Sequence, residues 1–257
     1  MDKKITINSG IDKDGIQEDY QYINLYLGET VSIVGPTGSG KTALVTDIEL
    51  LSQGDTITKR TILIDGEIPT NLMRYDALYK PITIITQNTK CFCDLNTNDF
   101  LSTHAKARGV ERREIVEETI ELANRFTGEK IQRNARVTEL SGGQTKSLLF
   151  ADAIKIGQSP IIILDEIENA GINKHDIISN IGMIKKLVIF VTHDPIIALQ
   201  TKKRIIMKNG SISKVIIRDS SEEITYSKLV SIDQILQASL NIIRSGQILA
   251  SDILESI

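Results

Sequence analysis

Gly35-Pro36-Thr37-Gly38-Ser39-Gly40-Lys41-Thr42 sets three glycines, a lysine and a closing threonine hydroxyl within eight positions. Such a segment suits a polyphosphate. Glycine tolerates φ > 0 and lets backbone approach a ligand closely, so successive N–H groups can turn inward at a helix N-terminus and cradle phosphate oxygens. Lys41 would reach the β/γ-phosphates and the Thr42 hydroxyl would ligate Mg²⁺. A second constellation ends the apolar run Ile161-Ile162-Ile163-Leu164 with Asp165-Glu166. Ligands bind at the carboxyl ends of strands in open α/β sheets; there Asp165 would hold Mg²⁺ through water and Glu166 would polarise the attacking water as general base. Two adjacent carboxylates are costly to bury without a cation, and Mg²⁺ with Lys41 would offset their charge. In a third, Ser141, Gly142 and Gly143 precede a helix, so their N–H groups and the serine hydroxyl form another anion site.

These residues need strand ends and helix starts. Thr30–Val34 reads as a buried strand and Thr42–Leu51 as a helix, with the glycine loop between them. Ile82–Ile85 is a strand that delivers Gln87, and Leu187–Val191 one that ends just before His193. Pro160–Leu164 is a strand, and Ser147–Ile156 and Asp176–Ile184 are helices. Strands alternating with helices imply an α/β fold with a mostly parallel sheet covered on both faces. Further strands are expected at Lys4–Asn8, Tyr20–Leu27 (after a turn at Asp12-Lys13-Asp14-Gly15), Thr61–Ile64, Ile205–Met207 and Ser213–Ile217, the last two joined by Asn209-Gly210. Residues 94–139 are polar and mostly helical, and Glu111–Phe126 carries one apolar stripe through Ile115, Leu122 and Phe126. Residues 1–218 form the main domain in this reading and 219–257 a helical appendage, in which Leu229, Ile232, Leu236, Leu240 and Ile243 recur near helical spacing and Ile248, Leu249, Ile253 and Leu254 continue the apolar content. Two readings of the appendage stay open: helices packed on the chain's own core, or a dimerisation or partner-docking element.

Bulk properties narrow the class. The chain has 257 residues, 41% hydrophobic and 25% charged, with a net charge of −3, so no broad electrostatic case for nucleic acid exists. It contains no run of about 18 apolar residues and its first residues lack the apolar core of a signal peptide; a cytoplasmic protein is expected. Cys91 and Cys93 are its two cysteines and make no disulfide framework.

Leu140-Ser141-Gly142-Gly143-Gln144, just upstream of the Asp165-Glu166 run and downstream of the phosphate loop, resembles the signature of the ATP-binding cassette (ABC) ATPases. The resemblance spans roughly residues 20–217. It implies a P-loop NTPase fold with an antiparallel β subdomain, to which Thr61–Gly66 is similar, and an inserted helical subdomain at 94–139. It implies MgATP hydrolysis to ADP and phosphate. It makes Gln87 the residue whose amide contacts Mg²⁺ or the attacking water, and His193 the residue that holds the γ-phosphate and orients Glu166. It gives Ser141, Gly142, Gly143 and Gln144 the role of capping ATP bound by the other protomer, hence a head-to-tail dimer of two copies or of this chain with a paralogous ABC subunit. The resemblance further implies service to a membrane transporter through separate transmembrane permease subunits, which would put the protein at the inner face of the membrane; a soluble ABC ATPase acting in remodelling, cofactor maturation or enzyme activation is the alternative.

Four features depart from the family pattern. Ile167-Glu168-Asn169-Ala170-Gly171-Ile172 replaces the usual Pro and later Ala-Leu-Asp, so Ile172, with Asn173 beside it, stands at the aspartate position of the loop that links the two sites. Lys146-Ser147 and Asp152 stand where arginines are common, and the charge reversal at Asp152 suggests a different packing partner. The base-stacking aromatic is assigned to Tyr20, which lies nearer the phosphate loop than usual, with Tyr22 beside it. Cys91-Phe92-Cys93 follows the Gln87 loop, either as incidental thiols or as a redox or metal element shared by two protomers.

Overall fold

A computed structural model describes residues 3–170 and 185–248. Expectations for the Asp176–Ile184 helix, for Ile172 and Asn173, and for Leu249, Ile253 and Leu254 lie outside the described residues. The chain divides into two compact units, residues 1–216 and 217–257.

The first unit is built on a six-stranded sheet in the order β5-β6-β7-β3-β8-β9, where β3 is Thr30–Val34, β5 Ile82–Ile85, β6 Ile161–Asp165, β7 Leu187–Val191, β8 Lys203–Lys208 and β9 Ser211–Ile217. The pairs β5–β6, β6–β7, β7–β3 and β3–β8 are parallel, as expected for an α/β sheet. Its central strands β6 and β7 are nearly continuous apolar runs because both faces are covered: all five residues of β7 are buried. Alternation sorts them onto two cores. Ile162, Leu164, Val188 and Phe190 share one core with Phe126 and Phe150; Ile161, Ile163, Leu187, Ile189 and Val191 share the other with Leu44 and Ile48. Helix α1 (Lys41–Glu49) therefore covers one face, and α4 (Ile115–Phe126) with α5 (Gly142–Lys155) the other. A smaller antiparallel sheet, β2-β1-β4, pairs β1 (Lys4–Asn8) with β2 (Tyr22–Tyr26) and β4 (Thr61–Ile64).

Several boundaries differ from expectation. Helix α5 begins at Gly142, five residues before Ser147, because Ser141 and Gln144 form a capping box: Ser141 Oγ accepts from Gln144 N–H at 3.3 Å and Gln144 Oε1 from Ser141 N–H at 2.9 Å. Helix α4 starts at Ile115, so Glu111–Glu114 fall outside it. Helices α2 (Asn71–Tyr75), α3 (Thr97–Ala107) and α6 (Pro195–Gln200) are further described helices of the unit. The last carries two start signals that the apolar pattern hides, Asp194 as N-cap and Pro195 at its first position. Asp152 packs against His104, 2.8 Å from Oδ1 to Nδ1.

In the second unit the described part is one helix, α7 (Ser220–Arg244). Asp219 caps it by accepting from the N–H groups of Ser221 and Glu222. Ile232, Leu236, Leu240 and Ile243 are exposed along it.

Candidate functional site

The glycine loop leaves β3 and enters α1, and a cleft of about 380 Å³ opens over it. Thr37, Gly38, Ser39, Gly40, Lys41 and Thr42 line this cleft with Gln87 from the end of β5, Asp165 and Glu166 from the end of β6, and His193 beyond β7. Parallel strands deliver these residues at their carboxyl ends. Gly35 and Pro36 stand at the root of the loop, where their carbonyls accept from Lys41 Nζ at 2.8 and 3.2 Å. Lys41 is 8% exposed and both of these partners are neutral carbonyls, which suits a cation awaiting an anionic ligand.

Gly40 sits in the left-handed region at φ 103°, and no side chain caps α1. The first-turn N–H groups of α1 thus lack the partner that a capping serine or aspartate would supply. Gly40 also packs on the β8–β9 turn: a Cβ added there would meet Gly210 Cα at 2.6 Å, and Gly210 N–H donates to Ser39 O at 2.8 Å. Ser39 Oγ is buried without a hydrogen-bond partner.

At the end of β6, Glu166 adopts φ 50°, an uncommon conformation for a residue with a side chain. Its N–H donates to Val191 O at 2.9 Å, which holds the turn. His193 Nε2 lies 3.7 Å from Glu166 Oε1. Glu168 fixes the histidine's backbone: its Oε1 accepts from Thr192 Oγ1 at 2.6 Å and from His193 N–H at 3.1 Å. Burial pushes the Asp165 carboxyl above the usual range, Glu166 and Glu168 add to this, and Lys41 and His193 oppose it. Asp165, the Thr42 hydroxyl and the Gln87 amide oxygen are hard donors of the kind Mg²⁺ prefers, and a divalent cation there would relieve the crowding of negative charge. The donor set fits the metal.

A buried ion network braces this corner. Arg60 is fully buried and pairs with Glu18 at 2.6 Å and with Asp47 of α1 at 2.9 Å. Its Nη2 also donates to Gly210 O at 2.6 Å. Burial raises the Glu18 carboxyl, but the Arg60 guanidinium and the N–H groups of Gly10 and Ile212 bring it below its ordinary value.

Not every residue named from sequence reaches the cleft. Tyr20 does not line it: its hydroxyl donates to Glu18 Oε2 at 2.9 Å and it borders a separate cavity with Tyr22, Asn24 and Lys203. The base-stacking role therefore has no support from its position; the Glu18–Arg60 network draws the hydroxyl inward. Ser141 and Gly142 are exposed at the start of α5 and, with Gly143 and Gln144, are not among the cleft residues. Cys91 and Cys93 are free thiols with Sγ atoms 3.4 Å apart, and among the described residues no group of three or more His, Cys, Asp or Glu side chains is placed to hold a metal ion. Conversely, Lys13, Thr86 and Asn88 line the cleft without having been singled out in the sequence. Glu168 was visible only as a departure from the family pattern, since its partners lie 24 and 25 residues away.

Comparison with known proteins places this arrangement. The family model described as ABC transporter matches residues 21–169. An uncharacterized ABC transporter ATP-binding protein of Methanocaldococcus jannaschii is 46% identical over 95% of this chain and 94% of its own length. Among solved structures, the ADP conformation of an ATP-binding cassette of an ABC transporter aligns with TM-score 0.62 at 19% identity, covering 90% of this chain and 98% of that one. A dimeric ATP-binding cassette in a post-hydrolysis state with ADP and Pi aligns with TM-score 0.59 at 21% identity, covering 85% of this chain and 99% of that one. Both structures share the fold of this chain. With phosphate loop, paired acids and histidine gathered at the carboxyl ends of the parallel strands, and a family match over more than half its length, the chain belongs to the ABC transporter family.

Proposed function

We propose that this chain is the ATP-hydrolysing subunit of a membrane transporter whose transmembrane parts are separate polypeptides, and that it works as a head-to-tail dimer. The observation that carries this reading is the separation of two anion-binding corners. The cleft holds Lys41, Thr42, Gln87, Asp165, Glu166 and His193 together, while Ser141–Gln144 stands outside it. A second copy, turned head to tail, would bring its own Ser141 corner over this cleft. The M. jannaschii relative carries the name of a transporter ATP-binding protein, and no described helix is long and apolar enough to cross a membrane, which accords with a cytoplasmic subunit docking on a separate permease.

In the reaction, the loop N–H groups of Gly38–Thr42 bind the phosphate chain and Lys41 exchanges its carbonyl partners for β/γ-phosphate oxygens. Mg²⁺, when bound, supplies charge neutralisation on the phosphates. Thr42, Asp165 and Gln87 would hold it. Glu166 accepts the proton of the attacking water, and His193 holds Glu166 and the γ-phosphate in register. The Ser141 hydroxyl and the N–H groups of Gly142 and Gly143 cap the phosphate across the dimer, so binding closes the pair and hydrolysis opens it.

The test is Glu166→Gln in MgATP. A dimer by light scattering with hydrolysis lost is expected, and with mild detergent a multi-span membrane protein should co-purify at near-stoichiometric yield. A protein that stays monomeric would overturn the dimer; soluble partners alone would overturn the transporter role.

A further inference from the structure

Lys13 lies 28 residues before Lys41 in sequence, yet both reach the same loop. Its ammonium donates to Gly38 O, as Lys41 donates to Gly35 O and Pro36 O. Its position is built rather than incidental. The Asp12 carboxylate closes the turn by accepting from the N–H groups of Asp14 and Ile16, both at 2.9 Å. Lys13 N–H donates to Asn209 O at 3.1 Å, and Asn209 Nδ2 donates to Asp14 Oδ2 at 2.7 Å. Gly210 is wedged between this turn and the phosphate loop: a Cβ there would meet Lys13 Cγ at 2.9 Å and Lys13 N at 3.1 Å. Arg60 holds Gly210 from below. The turns after β1 and β8 thus form one stack against Gly38–Gly40, with a cation at its tip.

We infer that Lys13 is a second phosphate-binding lysine, which leaves the Gly38 carbonyl for the polyphosphate of the bound nucleotide. The inference rests on the phosphate-loop reading above. A lysine ammonium has three donors; Gly38 takes one, and the carboxylates that flank it in sequence, Asp12 and Asp14, accept from the turn and from Asn209. The cleft opens on the same side, so phosphate oxygens over Gly38 meet this cation. Because Lys13 is exposed at the mouth, its contribution is screened by salt, unlike that of buried Lys41.

The test is calorimetric titration of the full chain with the magnesium salt of a non-hydrolysable ATP analogue, in wild type, Lys13→Met, Lys13→Arg and Lys41→Ala. Lys13→Met should weaken binding roughly three- to tenfold, the range of an exposed charge-assisted contact. Lys13→Arg should restore it, and added salt should weaken wild type more than Lys13→Met. Unchanged affinity in Lys13→Met while Lys41→Ala abolishes binding would overturn the role of Lys13 alone. Loss in Lys13→Met that arginine does not restore would also overturn it, by making the residue a prop for the loop. Undiminished binding in Lys41→Ala would instead overturn the phosphate-loop reading itself.

Discussion

Two helices of this chain start at glycine-rich motifs, and the starts are finished in opposite ways. Helix α1 begins after Gly40 with no side-chain cap, inside a cleft shared with acids from other strands. Helix α5 begins after Ser141 with a complete capping box, exposed and outside that cleft. Arg60, held by Glu18 and by Asp47 near the far end of α1, donates to Gly210 O, and Gly210 N–H donates to Ser39 O beside the α1 start, whereas Ser141 and Gln144 satisfy one another locally. An open start held by long-range contacts is ready for a ligand within its own chain. A self-capped start is stable alone and gives up little when a phosphate arrives from outside, because a hydroxyl and N–H groups can turn from a neighbour to an anion. The contrast accords with the proposed division of the site between two subunits.

Breaking the brace should have the largest effect. Glu18→Gln leaves Arg60 with Asp47 as its one carboxylate partner and weakens the charge-assisted hydrogen bonds to Glu18, and should cost about 3 kcal/mol at neutral pH, the upper scale for buried hydrogen bonds to a charged group, measured by urea unfolding. The ionised Glu18 carboxylate sits below its ordinary value of 4.5. Its contribution is therefore complete above about that pH and is lost as pH falls through the lower folded value. Wild-type stability should drop in that acid range, and Glu18→Gln should drop less there; parallel curves would show that the pair does not brace α1.

The α5 start can be spoiled without touching the fold. A Cβ added at Gly142 meets no atom within 4 Å, so Gly142→Asp has room in its own chain and would place a carboxylate against the partner's phosphate. Steady-state hydrolysis should fall about 100-fold, the scale of losing a main anion-stabilising group, while equilibrium binding of nucleotide stays within about twofold. Equal loss of both would mean that the two helix starts serve one site in one chain.

The smallest of the three effects sharpens the catalytic edge of the cleft. Glu168 grips Thr192 and His193 without lining the cleft itself. Removing that grip in Glu168→Ala should lower kcat about tenfold with KM nearly unchanged, as for one hydrogen bond to a charged group. Glu168→Gln keeps an acceptor oxygen and should recover part of the rate. A rise in KM with unaltered kcat would assign Glu168 to nucleotide binding instead.

The sequence alone determined the motifs and much of the scaffold. The strands Thr30–Val34, Ile82–Ile85 and Leu187–Val191 have the bounds read from the sequence, because burial on both faces of a parallel sheet leaves a nearly unbroken apolar signal; Lys4–Asn8, in the antiparallel sheet, has its expected bounds as well. The α/β class followed from the same alternation. Helix starts were harder, since Gly142–Lys146 looks like loop by composition and is helical through the Ser141–Gln144 box. Only the tertiary structure decided what meets the loop. Tyr20 is spent on Glu18, Lys13 arrives from the turn after β1, and Glu168 reaches across to the His193 backbone. Arg60 collects partners at separations of 13, 42 and 150 residues. Such contacts leave no periodic trace: a hydrophobic face repeats every two or 3.6 residues, but a buried charge chooses partners by where the packed sheet happens to bring them.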